Sequence, residues 1–163
     1  MKKIYGLLFA CLCVLGLQQP AFADIDKNKA VEMIENLTKE GIEQIINSNS
    51  SQAEKNEVFR KLFTENLDLE FIGKYVLGRY WRTATPAQRK EFISLYKEFN
   101  VSTWSKRFDE FKGKKFVFDG TSASSNKNQI FVNTEVPMEQ GAPIDVKWRV
   151  YDHNGKLKII DII

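Results

Sequence analysis

Apolar residues in the first half of the chain recur at the spacing of an α-helix. Between residues 26 and 46 they lie three, three and eight positions apart, close to the 3.6-residue period. These positions are Val31, Ile34, Leu37 and Ile45. The polar run 47–51 then predicts a loop before the next helix.

Two further helices follow in the pattern. The first has its apolar positions at Val58, Phe59, Leu62 and Phe63. Asp68 is placed to cap the next, which runs through Ile72 and Val76 and stops at Gly78.

Thr85, Pro86 and Gln88 form a helix-start signal. A threonine oxygen can accept from the first free amides, proline fits the first turn, and the glutamine can reach back to the cap. We therefore expect a long helix from here that ends at Lys112 and Gly113. Its predicted apolar stripe is Phe92, Leu95, Tyr96 and Phe99, extended by Trp104, Phe108 and Phe111.

After Lys115 the apolar period changes from 3.6 to 2, which predicts strands with one apolar face. The alternating positions are Phe116 and Phe118, then Ile130, Val132, Thr134 and Val136, then Ile144, Val146, Trp148 and Val150. Asn154 and Gly155 predict a hairpin turn into the last strand, because both residues tolerate positive φ.

Helices first and an antiparallel meander second indicate an α+β fold. We expect the N-terminal helices to pack on one face of a curved antiparallel sheet and to enclose an apolar cavity. Neither an internal repeat nor a second domain is evident, so residues 24–163 are predicted to form a single domain.

Residues 1–23 have the organisation of a secretory signal peptide. Lys2 and Lys3 precede an uncharged apolar run over residues 4–17, and a small-x-small cleavage pattern ends at Ala23. That run is shorter than the roughly 20 residues of a membrane span. An acylation site at Cys11 is disfavoured by the bulky Phe9. Cleavage would remove both cysteines, which excludes disulfide and thiolate chemistry from the remaining 140 residues.

Charge and composition narrow the possible functions further. Residues 24–163 carry 22 basic and 21 acidic side chains, so nucleic acid is not an expected partner. The only histidine, His153, falls in a predicted exposed turn, which argues against nucleophilic catalysis. Asp68 and Glu70 lie too close in sequence to share one helical face, and so do Asp109 and Glu110. We expect no metal site and no cofactor.

Two residue groups leave alternatives open. Glu135 and Asp145 could serve a carboxylate enzyme if they were buried, but both occupy the polar register of their strands. A basic cluster, Lys112, Lys114 and Lys115, either stabilises a helix C-terminus or docks to an anionic membrane surface or an acidic partner.

The segment 77–89, LGRYWRTATPAQR, followed by Phe92 and Tyr96, resembles the signature of the MlaC family. These are periplasmic phospholipid-binding proteins of the Mla lipid-asymmetry pathway, also described as toluene-tolerance auxiliary proteins. The resemblance extends over nearly all of residues 24–163. Trp104 stands where the family often has Tyr and Leu157 where Trp is common, and both changes keep a large apolar group.

Family members continue beyond the last strand into another strand and C-terminal helices. We therefore expect this sequence to be truncated within the sheet. Four isoleucines would then be left unprotected, namely Ile159, Ile160, Ile162 and Ile163.

The resemblance implies a non-enzymatic, periplasmic, monomeric carrier of phospholipid. Its implied partners are an inner-membrane Mla-type transporter complex, fed by an ATPase, and an outer-membrane lipoprotein–porin complex. A carrier of another apolar molecule, such as a hopanoid precursor, is the alternative, and the carboxylate enzyme is a more distant one.

Face periodicity selects the residues predicted to line the lipid. Two acyl chains contain about 30 methylenes in total. Exposing them to water would cost about 20–25 kcal/mol at ~0.8 kcal/mol per methylene, so a carrier needs a dry apolar site. The sheet-side candidates are Phe116, Phe118, Val132, Val146 and Trp148. The helix-side candidates are Val76, Tyr80, Trp104 and Phe108. Trp81 is expected to be structural.

Overall fold

The structure is a computed structural model that describes residues 24–153 and 155–163. The predicted signal peptide and Asn154 of the predicted turn lie outside the described residues. The helices are α1 (Lys27–Glu35), α2 (Glu43–Asn47), α3 (Gln52–Asn66), α4 (Leu69–Leu77), α5 (Arg79–Thr83) and α6 (Pro86–Ser105). The strands are β1 (Val117–Ala123), β2 (Gln129–Val136), β3 (Ile144–His153) and β4 (Lys156–Ile162).

The predicted first helix forms, but its middle is wound differently. Between α1 and α2 the residues Asn36–Ile42 form a π-helix. The buried Thr38 lies in this segment, and its hydroxyl donates to the Ile34 carbonyl at 2.7 Å. A side-chain donor of this kind satisfies a backbone acceptor where the i→i−4 ladder is interrupted. Periodicity in the sequence does not reveal this change of winding.

The segment 77–89 builds the junction between α4, α5 and α6. Gly78 ends α4 with φ of 52°, a conformation that side-chain-bearing residues rarely adopt. Trp81 on α5 is buried, and its carbonyl accepts from Arg89 Nε at 2.9 Å. Thr85 and Gln88 form the predicted capping box of α6. These contacts agree with the structural role expected for Trp81.

The long helix ends earlier, and faces a different way, than its sequence predicts. After α6 ends at Ser105, Phe108–Phe111 form a separate 3-10 turn. Leu95 and Phe99 of the predicted stripe are 62% and 68% exposed. The buried side of α6 instead passes through Val101, because α6 packs against α3 and α4 rather than directly on the sheet. The predicted stripe was therefore wrong at Leu95 and Phe99, whereas Phe92 and Tyr96 are partly buried and Tyr96 packs against the main apolar core.

Helix α4 packs against α6 at the buried Gly73. A Cβ placed on this glycine would fall 2.2 Å from Ile93 Cδ1, so a larger residue would force the Ile93 side chain to move. At its other end α4 joins the sheet. The amide of Asp68 donates to the Ile159 carbonyl at 2.9 Å, and Leu67 forms a parallel bridge with Ile159.

The four strands form an antiparallel meander in the order β1-β2-β3-β4, as the sequence predicts. Irregular pairing interrupts β1 between Phe118 and Thr121, and the β3–β4 ladder between Arg149 and Val150. At the second irregularity Ile159 pairs with Val150 while Ile160 has no opposite residue. A β-bulge of this kind adds twist and curvature to the sheet.

The predicted exposure of the last strand is only half right. Ile162 and Ile163 are exposed, but Ile159 and Ile160 are buried at 0% and 6%. The bulge accounts for two adjacent buried residues, since an extra residue locally breaks the alternation of faces. Within the described ranges, no helix combines the length and apolar character needed to span a membrane.

Candidate functional site

The sheet has one apolar face, which we call the inner face. Residues directly opposite one another on paired strands share a face, so the register identifies its members. The four buried positions of β2 pair with Val150, Trp148, Val146 and Ile144 of β3. The inner face of β2 and β3 is therefore Ile130, Val132, Thr134, Val136, Ile144, Val146, Trp148 and Val150.

At one end the inner face is covered by helices. Ala30 and Ile34 of α1, Phe63 of α3 and Ile72 of α4 belong to the same buried apolar cluster as Ile130, Val132, Trp148, Val150 and Ile159. All of these side chains are buried. The helices and the sheet are thus in direct contact here, and side chains fill the space that the sequence predicts as a cavity.

The buried polar groups of the inner face are paired. Trp148 Nε1 donates to Thr134 Oγ1 at 2.9 Å, and the Thr134 hydroxyl donates to the Val146 carbonyl at 3.3 Å. In the described residues, the buried side-chain nitrogen or oxygen left without a partner is Arg149 Nε, on the opposite face. The inner face therefore presents an apolar surface without unsatisfied side-chain polar atoms.

At its other end the inner face is open. Ile144, at the start of β3, is 37% exposed although it pairs with the buried Val136. Ile162, at the end of β4, is 43% exposed although it pairs with the buried Trp148. On α4, Val76 shares a side with Leu69 and Ile72 yet is 54% exposed. Apolar stripes in both layers thus end uncovered. We call the sheet residues Ile144, Val146 and Ile162 the open end.

All five predicted sheet-side residues belong to the main apolar cluster. Val132 and Trp148 are buried, and Phe116, Phe118 and Val146 are partly buried against them. The sequence-based selection omitted Ile144 and Ile162, although Ile144 stands in the same alternation as Val146. Ile162 could be assigned only from its pairing with Trp148 across the bulge.

The four predicted helix-side residues are not brought together. Phe108 is buried in a separate cluster with Ile45 and Ile46, because the chain turns after α6 and the 3-10 segment packs on α2. Tyr80 and Trp104 are 58% and 43% exposed. Val76 is the one of the four that shares a helix side with a residue of the main cluster, Ile72.

A cavity of about 550 Å³ lies beside the hairpin of β3 and β4. Apolar side chains and charged groups both line it, so it differs from the dry cavity predicted from sequence. Its lining residues are Thr64, Leu67, Asp68, Leu69, His153, Lys156 and Lys158. His153 Nδ1 stands 3.7 Å from Asp68 Oδ2, and Asp68 also caps α4 by accepting from the Phe71 amide.

The carboxylates considered for catalysis lie on the other face of the sheet. Glu135 and Asp145 are directly opposite one another on β2 and β3, and Asp145 is exposed. No group of three or more metal-binding side chains gathers within residues 24–153 and 155–163. In the basic cluster, Lys114 Nζ donates to the Glu110 carbonyl at 2.7 Å, as expected for a cation near a helical end.

The chain matches the model of the family described as "MlaC protein" over residues 35–163. A curated relative from Haemophilus influenzae, "Intermembrane phospholipid transport system binding protein MlaC", is 22% identical over 126 residues. That alignment covers 72% of this chain and 59% of the relative. The chain thus spans less than two thirds of the relative's length.

The fold is also similar to a solved structure. A phospholipid-binding protein from Ralstonia solanacearum, determined in complex with a phospholipid, superposes with a TM-score of 0.71 at 16% identity. The superposition covers 82% of this chain and 76% of the other. It confirms the α+β arrangement of helices on an antiparallel sheet.

Proposed function

Because this chain belongs to the MlaC family, we propose that it binds phospholipid and carries it between membranes. The Haemophilus influenzae relative is named for intermembrane phospholipid transport, and the Ralstonia solanacearum protein of similar fold holds a phospholipid. The carrier acts without catalysis: it holds the acyl chains away from water and releases them intact.

The open end of the inner face is the observation that supports this proposal most directly. Ile144 and Ile162 are large apolar side chains on stripes that are otherwise buried. Covering them with an acyl chain removes apolar surface from water at about 25 cal/mol per Å². The interior beyond them is already packed, so the gain lies at this end of the molecule.

The open end gives an acyl chain an apolar surface on which to lie. Ile144 and Val146 follow one another on the inner face of β3, and Ile162 lies on the same face of the neighbouring strand β4. The polar groups next to this end, Trp148 Nε1 and the Thr134 hydroxyl, are already hydrogen-bonded, so an acyl chain that covers the open end would strand no side-chain polar atom. We propose that the tails lie against the open end and that the headgroup stays near solvent.

The proposed setting follows from the leader and the family. A cleaved signal peptide over residues 1–23 would deliver residues 24–163 to the periplasm as a monomer. There the carrier would exchange lipid with an inner-membrane Mla-type transporter complex and an outer-membrane lipoprotein–porin complex.

Lipid extraction tests the proposal. We expect the purified protein to release phospholipid into organic solvent, identifiable by mass spectrometry, and the stripped protein to take up phospholipid from vesicles. A different extracted mass, such as that of a hopanoid precursor, would make the protein a carrier of that molecule instead. A preparation that is always lipid-free and takes up none would refute lipid carriage.

Two substitutions locate the site. Ile162→Asp places a carboxylate at the open end. An acyl chain that covered this charge would have to remove it from water, which is unfavourable, so we expect lipid uptake to fall at least tenfold. Val117→Asp is the matched control, since Val117 is 49% exposed but pairs with Glu135 on the other face. Equal uptake by both variants would exclude the open end as the lipid site.

A further inference from the structure

Helices α4 and α5 expose aromatic side chains where a folded protein ordinarily shows polar ones. Tyr75 is 83% exposed, Tyr80 58% and Phe71 41%. Phe71, Lys74 and Tyr75 stand at i, i+3 and i+4, so they share the side of α4 that faces away from Ile72 and Gly73. The exposed residues form what we call the aromatic–basic surface: Phe71, Lys74, Tyr75, Arg79, Tyr80 and Arg82.

The charge of this region is predominantly positive. Residues 69–90 contain five basic side chains and one acidic one, although residues 24–163 are almost neutral. Lys74, Arg79 and Arg82 are exposed. None of the three forms an ion pair with a carboxylate in the part of the chain that the structure describes. Their charge is therefore available to an anionic partner.

The aromatic and basic groups are arranged together. The Arg79 guanidinium lies 4.9 Å from the centre of the Tyr80 ring, and its NH2 group donates to the Tyr80 hydroxyl at 2.8 Å. Stacking of this kind keeps the guanidinium beside an amphipathic ring. Tyrosine has an apolar body and a polar tip, which suits the boundary between acyl chains and headgroups in a bilayer. Arginine is suited to pairing with the phosphates of the headgroups.

We propose that the aromatic–basic surface binds the surface of an anionic phospholipid bilayer. Exposed aromatics would insert among the headgroups while Lys74, Arg79 and Arg82 pair with lipid phosphates. A second copy of the chain is a poor occupant, because a symmetric contact would bring two strongly basic surfaces together. The surface is distinct from the open end, so membrane binding does not require that the protein carry lipid.

Vesicle flotation of the full chain tests this proposal. We expect binding to vesicles of equal parts phosphatidylglycerol and phosphatidylcholine, weaker binding at high salt, and little binding to phosphatidylcholine alone. Each cation near an anionic surface is worth about fivefold in affinity, so Arg79→Glu with Arg82→Glu should weaken binding at least 25-fold. Lys27→Glu with Lys156→Glu changes the net charge equally at exposed positions elsewhere and should retain most binding.

A second pair of variants separates the aromatic contribution from folding. Tyr75→Ser removes a side chain that is 83% exposed and should weaken vesicle binding several-fold without changing the thermal midpoint. Phe99→Ser, at 68% exposure on α6, is the matched control and should bind normally. Equal losses in both charge variants, or in both aromatic variants, would overturn the proposal.

The remaining outcomes are also decisive. Equal binding to neutral and anionic vesicles would overturn the assigned role of the cations. Failure of the wild type to bind anionic vesicles, together with capture by an acidic polypeptide, would make the surface a protein-docking site instead. A wild type that binds anionic vesicles but never yields extractable lipid would leave this surface established and refute only lipid carriage.

Discussion

Thr134 and Trp148 place a hydroxyl and an indole N–H on an otherwise apolar sheet face. Both are nearly fully buried, and the 2.9 Å hydrogen bond between them joins β2 to β3 through side chains. Because the threonine hydroxyl in turn donates a hydrogen bond to the Val146 carbonyl, neither polar group is left unpaired. Two polar atoms can therefore lie within an apolar core at little free-energy cost.

Trp148→Phe tests the value of this pair. The change removes the indole donor and part of the buried ring, so we expect the free energy of unfolding to fall by about 1–2 kcal/mol in urea denaturation. Trp104→Phe, at a residue 43% exposed, should change it by less than about 0.5 kcal/mol. Similar losses at the two positions would show that the Trp148 hydrogen bond contributes nothing measurable.

At the scale of elements, α3 and α6 are joined by packing and by one charged contact. Arg60 on α3 donates through Nε and an NH2 group to the two carboxylate oxygens of Glu98 on α6, at 3.1 and 2.8 Å. This fork geometry is the strongest form of an arginine–carboxylate pair. The pKa of Glu98 lies below its usual value of 4.5, mainly because Arg60 donates hydrogen bonds to the ionised carboxylate.

The lowered pKa of Glu98 predicts how the stability depends on pH. Its stabilising effect is fully present above pH 4.5 and is lost as the pH falls through the lower pKa of the folded protein. Glu98→Gln should therefore lower the urea midpoint at pH 7 and lower it less near pH 3. Glu65→Gln, which alters an exposed pair within α3, should have a smaller effect at both pH values. A Glu98→Gln effect that is the same at both pH values would contradict this assignment.

For the whole molecule, the two layers meet closely at one end and leave apolar side chains uncovered at the other. Ile130, Val150 and Ile159 lie under α1, α3 and α4, whereas Ile144 and Ile162 are partly exposed to solvent. Uncovered apolar surface of this kind is typical of a ligand or partner site. If an acyl chain covers it, ligand binding adds directly to the stability of the fold.

Lipid loading should accordingly raise the thermal midpoint. At a free lipid concentration 100 times Kd the folded state gains about 2.7 kcal/mol, which corresponds to several degrees for a chain of this length. Calorimetry of the loaded and stripped protein measures the difference. Val117→Asp should show the same increase and Ile162→Asp a much smaller one. A loaded protein with the midpoint of the stripped protein would mean that lipid binds equally to the unfolded chain.

The sequence by itself determined the order of elements, the strand faces and the family. The alternation of β2 and β3, the capping box at Thr85 and the stop at Gly78 depend on neighbouring residues, and a local pattern therefore reveals them. The signature segment 77–89 is a run of such local features. The same logic selected Val132, Val146 and Trp148 for the inner face.

Only the tertiary structure decided which apolar residues are covered. Leu95 and Phe99 continue a good apolar stripe yet face solvent, because α6 packs on α3 and α4 through its other side. Ile159 and Ile160 are both buried because a bulge shifts the register of β4. Burial depends on where distant elements meet, and the spacing of residues along one helix or strand carries no information about that position.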